Sequence, residues 1–447
     1  MVISGRICLN HFMSWLSDRK SNFPDNNVFK SIFRDHWEEF KKAHPKYDID
    51  QYEIAVQKML GCKDSSNGYS EYICMYCGRD RKKVPFSCKS CFCLSCAKQY
   101  VDNFVSQVSV MLHSGVIYRH IVLTMPEQLR PVFFKERFNK DLLSEFMRCG
   151  YDCLEDVVGS VKRKKLKIGT IVVVQTHGRS GQYNPHLHII MTSGGINTEE
   201  ERWHDLGYFK YEMIHKKWQY HLFKMLKIYF DSSEMNQLLN VLWKKYPKGL
   251  VANVSKGSVP ESCRGLSGYL AKYVASPPIA VRRILDYDGQ TVKYWYQDHQ
   301  SKSKKFEKVH VYTFIGRMVQ HIMPKGFQRV RYYGLEATRT YKKWSEVIQK
   351  GIKRIGRIVK GAYQIVKRKK YRQRYQEISG IDPMRCQYCK SEMELMLIWH
   401  PKYGVLYDIF STLEEVKIGQ EKVDRRGGHT VRPPSRGVQL SLFPLPM

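Results

Sequence analysis

The sequence predicts an α+β protein that carries a metal-binding module ahead of its main sheet. Three observations predict it. The stretch "VFKSIFRDHWEEFKKAH" places apolar residues at helical spacing. The β-branched run "LKIGTIVVVQTHG" is followed by a turn-rich loop, "GRSGQYNP", and by the returning run "HLHIIM", which together read as a β-hairpin. Six of the 13 cysteines fall between Cys74 and Cys96.

Taken in order, residues 1–65 form an N-terminal helical segment closed by the polar break "KDSSNGYS". Residues 66–105 hold the cysteine module. The run "VIYRHIVLTMP" is a strand ended by Pro126, and the hairpin comes next. Residues 199–246 are largely helical. "GLVANVSKG" is a further strand, and "GLSGYLAKYVASPP" is a helix from about Leu266, stopped at Pro277. "VKYWYQDH" and "KVHVYTFIGRMVQHIMPKG" supply two strands and a helix. A strongly basic helical segment covers 351–376, inside a proposed segment 341–380. Residues 381–447 contain "CQYC" and a tail rich in Gly, Pro and Arg, read as extended or disordered.

The chain of 447 residues exceeds one ordinary domain, and its 43% hydrophobic content excludes wholesale disorder. No apolar run approaches the roughly 20 residues of a membrane helix. The opening "MVISGRICLNHFMSWL" has polar and charged residues where a signal peptide has its apolar segment. A soluble, cytoplasmic protein is expected. Lys and Arg outnumber Asp and Glu by 74 to 42, a formal excess of +32. Charge of that size favours a polyanion through counterion release. It is spread along the chain and not confined to one amphipathic helix, which favours nucleic acid over a membrane surface.

The odd cysteine count, its one dense cluster and the missing secretion signal argue for a metal site over a disulfide framework. Cys74 and Cys77 form one C-x2-C knuckle, and Cys93 and Cys96 form another, with 15 residues between them. This is a zinc pattern: two tight knuckles bring four soft ligands to tetrahedral corners without a core between them. Cys88 and Cys91 share the same spacing, so the second pair stays open, and six thiolates could hold more than one ion. The neighbouring Arg79, Arg81, Lys82, Lys83 and Lys89 make the module a candidate DNA-contacting ribbon. Cys386 and Cys389 lack an evident second knuckle; His400 is one candidate helper for a second zinc site.

On a strand alternate side chains share a face, so His186 and His188 point the same way. Two imidazoles on one face can chelate a divalent ion. The preceding strand carries Gln175 and His177 on a common face, and either could supply a third ligand. A hard ion such as Mg²⁺ or Mn²⁺ keeps positions open for phosphate oxygens and water, so three protein ligands suffice. "GYLAKYV" places Tyr269 and Tyr273 on one helix face, with Lys272 between them. A tyrosine hydroxyl can attack a phosphodiester and conserve its energy in a phosphotyrosine. Lys272 could lower the cost of losing the tyrosine proton or steady the phosphate.

An N-terminal zinc module, then H-x-H on a strand, then Y-x3-Y on a later helix resembles the two-tyrosine HUH transposases of rolling-circle bacterial insertion sequences, relatives of the Helitron transposases. The resemblance spans about Val28 to Gly334. "FRDHWEEFKKAHP" and "YICMYCG…PFSCKSCFCLSC" are similar to that family's zinc-binding domain. "VLTMPEQLR", "NPHLHII", "GYLAKYVASPPIA", "YQDH" and "MPKGFQRVRYYG" are similar to its catalytic domain, here 106–340. One departure is Cys91, where such transposases usually carry a basic residue, and this leaves the zinc ligands open. The resemblance implies an HUH endonuclease fold, a central antiparallel sheet flanked by helices, with the metal face on its central strands. It implies cleavage and rejoining of single-stranded DNA through 5′-phosphotyrosine intermediates, at the ends of the element that encodes it and at target DNA. His186 and His188 become metal ligands, Gln175 completes the site, and Tyr269 and Tyr273 become nucleophiles. A bacterial, nucleoid-associated location follows, with host replication or helicase factors as candidate partners. A rolling-circle replication initiator or relaxase-like nickase shares this chemistry, but the zinc module and the "YVASPPIA" context favour a transposase. An inactive zinc-ribbon DNA-binding protein would have no use for both histidines and both tyrosines.

Overall fold

The computed structural model describes residues 28–207, 212–255, 278–298, 301, 303–354 and 367–411. Tyr269, Lys272 and Tyr273 lie outside the described residues, as do residues 355–366 of the basic segment 351–376. In chain order the helices α1 (Val28–Ala43) and α2 (Asp50–Leu60) precede strands β1 (Tyr69–Ile73) and β2 (Arg81–Pro85). Helix α3 (Ala97–Ser109), strand β3 (Tyr118–Thr124) and helices α4 (Arg130–Lys135) and α5 (Lys140–Lys162) follow. The long hairpin β4 (Leu166–His177) and β5 (Tyr183–Asn197) leads to β6 (Arg202–Asp205), α6 (Glu212–Phe230), α7 (Ser233–Lys245) and β7 (Ala252–Val254). The remainder comprises β8 (Ile284–Tyr287), β9 (Thr291–Gln297), β10 (Lys304–His310), α8 (Val311–Val319), β11 (Val330–Gly334), α9 (Tyr341–Arg354), α10 (Tyr371–Ser379), β12 (Glu394–His400) and β13 (Gly404–Asp408).

Two compact units divide the chain. One takes the residues up to Cys62 together with Cys88–Lys370; the other takes Lys63–Ser87 and the residues from Tyr371 onward. Residues 66–105, read from the sequence as one module, are therefore shared between the two units. No helix among the described residues is long and apolar enough to cross a membrane.

The larger unit is built on a six-stranded sheet in the order β11-β4-β5-β3-β7, with β6 added to β5. Every pairing is antiparallel, as the resemblance implied. Side-chain alternation sends the two faces to different cores. Leu123, Val172, Val174, Leu187, Ile189 and Met191 pack on one face with α5, α6 and α7. Tyr118, Ile171, Val173 and Ile190 pack on the other with α3 and α9. Helix α5 starts where the Asn139 side chain caps the free N–H groups of Asp141 and Leu142. It approaches β5 closely at Gly150, where a Cβ would lie 2.6 Å from Leu187 Cδ1. That approach fixes the strand that carries the two histidines on its opposite face. A second core of the same unit joins α1, α2 and α8 to the sheet β10-β9-β8.

The α3 side of the sheet also buries a carboxyl group. Glu336, just after β11, is fully buried, and Tyr118 donates its hydroxyl hydrogen to Glu336 Oε1 at 2.6 Å. Burial pushes the Glu336 carboxyl up to about 8 and holds the neighbouring His113 down to about 4. Both are therefore neutral at pH 7, which avoids an isolated buried charge. The folded state binds the Glu336 proton more tightly than the unfolded chain, so this contribution to stability is complete below about 4.5 and is lost as pH rises through about 8. Glu336→Gln should therefore gain on the parent protein between pH 5 and pH 8, by about 1–3 kcal/mol. Thermal melts of both proteins across that range check it; parallel pH profiles would contradict it.

Candidate metal centres and active site

The H-x-H strand is held at the centre of the sheet, between β4 and β3. In register, Gln175 pairs with His186, Val173 with His188, Thr124 with His186 and Val122 with His188. Partners across an antiparallel pair share a face, so Gln175, His186, His188 and, two residues before Val122, His120 all point to the α3 side. Pro185 has no N–H for the ladder, and the register slips here: Asn184 and Pro185 together oppose the single Thr176.

The side chains converge. His186 Nε2 lies 3.1 Å from His188 Nε2, which lies 3.1 Å from Gln175 Oε1. The other ring nitrogen of each histidine is engaged. His186 Nδ1 is 2.8 Å from the Asn184 carbonyl, and since a carbonyl only accepts, the proton belongs on Nδ1. His188 Nδ1 is 2.9 Å from His120 Nε2, and His120 Nδ1 is 3.1 Å from Ser255 Oγ. With each proton passed outward along this chain, two Nε2 lone pairs and one amide oxygen face a common point. Three acceptors so placed repel each other unless a cation lies between them. Adjacent positions of an octahedral ion with bonds of about 2.1 Å lie about 3.0 Å apart, so the spacing fits Mg²⁺ or Mn²⁺.

Burial lowers all three imidazoles. His188 is held well below the ordinary histidine range by burial first, then by His186, His120 and His177. His120 falls to about 4, and His186 is also lowered, by burial and by the nearby Arg130 guanidinium against the opposing Asn184 carbonyl. The lone pairs are therefore free of protons at neutral pH. Of the two candidates for a third ligand, the structure brings Gln175 to the pair. His177 sets its ring against His321, 5.6 Å between centroids.

The cysteines form two clusters, and the expected grouping of Cys74 and Cys77 with Cys93 and Cys96 is not made. Cys62, Cys88, Cys93 and Cys96 converge in the larger unit, and Cys74, Cys77, Cys386 and Cys389 converge in the smaller one. In the first, Cys96 Sγ lies 3.4 Å from Cys62 Sγ and 3.6 Å from Cys88 Sγ. In the second, Cys74 Sγ lies 3.4 Å from Cys389 Sγ, and Cys77 Sγ lies 3.6 Å from both Cys74 Sγ and Cys386 Sγ. These gaps are far beyond a disulfide. They approach the roughly 3.8 Å edge of a tetrahedron with Zn–S bonds of about 2.3 Å. The physical reason for the regrouping is the sheet: β1, which leads into Cys74, pairs with β12, which follows Cys389. Cys62 closes the first cluster from the end of α2, and Cys91 stands outside it, near the Arg329 side chain. His400 belongs to neither cluster.

Of the proposed DNA-contacting residues, Arg79, Arg81 and Lys83 are exposed. Lys82 instead donates to the Pro383 carbonyl at 3.1 Å and lies over the Tyr375 ring.

Two family models match the chain in the order the motifs run. A transposase zinc-binding domain matches residues 32–125, which hold Cys62 and the six clustered cysteines, and a putative transposase domain matches residues 169–343, which hold Gln175, His186, His188, Tyr269 and Tyr273. The chain thus carries a transposase zinc-binding segment followed by a transposase segment. The transposase is 27% identical over 301 residues to the transposase for insertion sequence element IS801 of Pseudomonas savastanoi pv. phaseolicola, covering 64% of this chain and 70% of that one. It is 23% identical over 383 residues to the putative transposase y4qJ of Sinorhizobium fredii, covering 80% of this chain and 92% of that one. No solved structure matches the transposase. The zinc-binding match and the two cysteine clusters together support structural zinc. Cys386 and Cys389 lie beyond both matched segments.

Sequence reasoning missed His120, Arg130 and Cys62. His120 and Cys62 belong to no short motif. Arg130 stands in the quoted "VLTMPEQLR", but nothing in that string says that it comes near His186.

Proposed function

We propose that this transposase cleaves and rejoins single-stranded DNA through 5′-phosphotyrosine intermediates on Tyr269 and Tyr273. The observation that carries this reading is the convergence of Gln175, His186 and His188 at octahedral spacing, inside the segment matched by the putative transposase model. All three ligands are neutral, so a bound Mg²⁺ or Mn²⁺ would keep its full charge for polarising a phosphodiester and steadying the leaving oxygen.

The protein's own groups do the rest. A tyrosine hydroxyl oxygen attacks phosphorus, and the P–O3′ bond breaks. The tyrosine loses its proton, and the departing 3′ oxygen takes one up. A free 3′ hydroxyl reverses the step and rejoins the strand. The reference pKa of tyrosine is about 10, so the proton needs help in leaving; Lys272 is the nearest cation in sequence to serve. Two nucleophiles let one hold the first strand while the other cuts the second. Arg130, whose Nε is buried without a hydrogen-bond partner and whose charge is felt at His186, is suited to meet the phosphate.

The substrates in this reading are the single-stranded ends of the transposase's own element and its target DNA. The test is incubation with labelled single-stranded oligonucleotides from the element ends and Mg²⁺ or Mn²⁺. A covalent protein–DNA band is expected. Its absence with every end sequence would overturn the enzymatic reading.

A further inference from the structure

We propose that the second cysteine cluster displays a base-stacking platform for single-stranded DNA, made by Tyr76 and Tyr388. The inference rests on the proposed function for the identity of the polymer.

The two knuckles of this cluster are structural copies. One reads Cys74-Met75-Tyr76-Cys77-Gly78 and the other Cys386-Gln387-Tyr388-Cys389-Lys390. In each, the residue after the second cysteine donates its N–H to the carbonyl of the first, Gly78 to Cys74 at 2.8 Å and Lys390 to Cys386 at 3.1 Å. Both closing residues are left-handed, with φ of 67° and 63°. The sulfurs interlock across the pair, and Asp80 Oδ2 accepts the Gln387 N–H at 2.8 Å, which ties one knuckle to the other. Each knuckle presents a tyrosine at its third position. Tyr76 is 82% exposed and Tyr388 is 57% exposed.

A scattered exposed aromatic needs no explanation. Two at equivalent positions, on turns pinned by a shared cluster, form a pattern. Arg79, Arg81, Arg385 and Lys390 are exposed in the chain around them. The nearby carboxylates are engaged, Asp80 with the Gln387 amide and Glu392 with Arg372. Lys390 keeps a cation at a left-handed position that suits glycine better. Arg385 is held by Asp382 and the Lys390 carbonyl, and Lys390 by the Gln387 carbonyl, so the exposed guanidiniums of Arg79 and Arg81 are the cations offered beside the two rings. Rigid aromatic faces beside such cations match the chemistry of a single strand, whose bases are free to stack while its phosphates meet the positive charge. A duplex offers no free base face.

The test uses the full chain with its zinc and measures anisotropy of a labelled single-stranded oligodeoxynucleotide. Tyr76→Ala with Tyr388→Ala should weaken binding about 10- to 100-fold, while Tyr76→Phe with Tyr388→Phe holds within about 3-fold, because stacking needs the ring and not the hydroxyl. Zinc content, duplex binding and the salt dependence of single-strand binding should stay as in the parent. An alanine variant with parental single-strand affinity, or one that loses single-strand and duplex binding equally, would overturn the platform. At saturating oligonucleotide the alanine variant should still form the covalent adduct. Failure of the platform thus leaves the cleavage reading standing, and failure of the parent to form any adduct leaves the platform to the anisotropy result.

Discussion

Replacing His188 by alanine is expected to cut adduct formation by about 100-fold or more and to remove the corresponding Mn²⁺ binding. His188 is the middle donor of the proposed ion site. Its Nε2 lies 3.1 Å from His186 Nε2 on one side and from Gln175 Oε1 on the other, so its loss separates the remaining two. His120→Ala should act more mildly, by about 10- to 100-fold in ion affinity, because His120 only holds the Nδ1 side of His188 at 2.9 Å and orients it. Calorimetric titration with Mn²⁺ separates the two roles. Parental Mn²⁺ affinity in His188→Ala would remove the histidine pair from the account.

The second large effect concerns zinc. Metal analysis of protein purified without added zinc should give two ions per chain, one for each cluster. Cys386→Ser with Cys389→Ser should reduce this to one and loosen the unit that pairs β1 with β12. Cys62→Ser should also remove one ion, although Cys62 belongs to no C-x2-C motif. The cost there should be larger, because Cys62, Cys93 and Cys96 lie in the same core as α1, α2 and α8. Structural zinc contributes on the order of 10 kcal/mol in small zinc modules, so loss of this ion should unfold that region. A single ion per chain, lost on changing Cys74 or Cys93 alike, would instead restore the pairing of Cys74 and Cys77 with Cys93 and Cys96.

These contrasts show which parts of the site were legible in the sequence. The hairpin and the shared face of Gln175, His186 and His188 could be read because both depend on local alternation and a short turn. The central antiparallel sheet followed from the resemblance and not from periodicity; its six strands did not. His120 was hidden because β3 meets β5 through a pairing 68 residues apart, and nothing in "YRHIVLT" announces that neighbour. The zinc ligands misled for a related reason. Two knuckles 15 residues apart imitate a single site, while the true partners of Cys74 and Cys77 lie 309 to 315 residues away and are selected by strand pairing. Cys62 carried no knuckle partner to mark it.

The central claim is that the histidine cluster serves tyrosine nucleophiles. The most direct measurement isolates the covalent protein–DNA adduct, digests it, and identifies the modified residue by mass spectrometry, with the Tyr269→Phe, Tyr273→Phe double variant run in parallel. The account predicts a phosphotyrosine at Tyr269 or Tyr273 and no adduct from the double variant. An adduct on any other residue, or one that persists in the double variant, would contradict it.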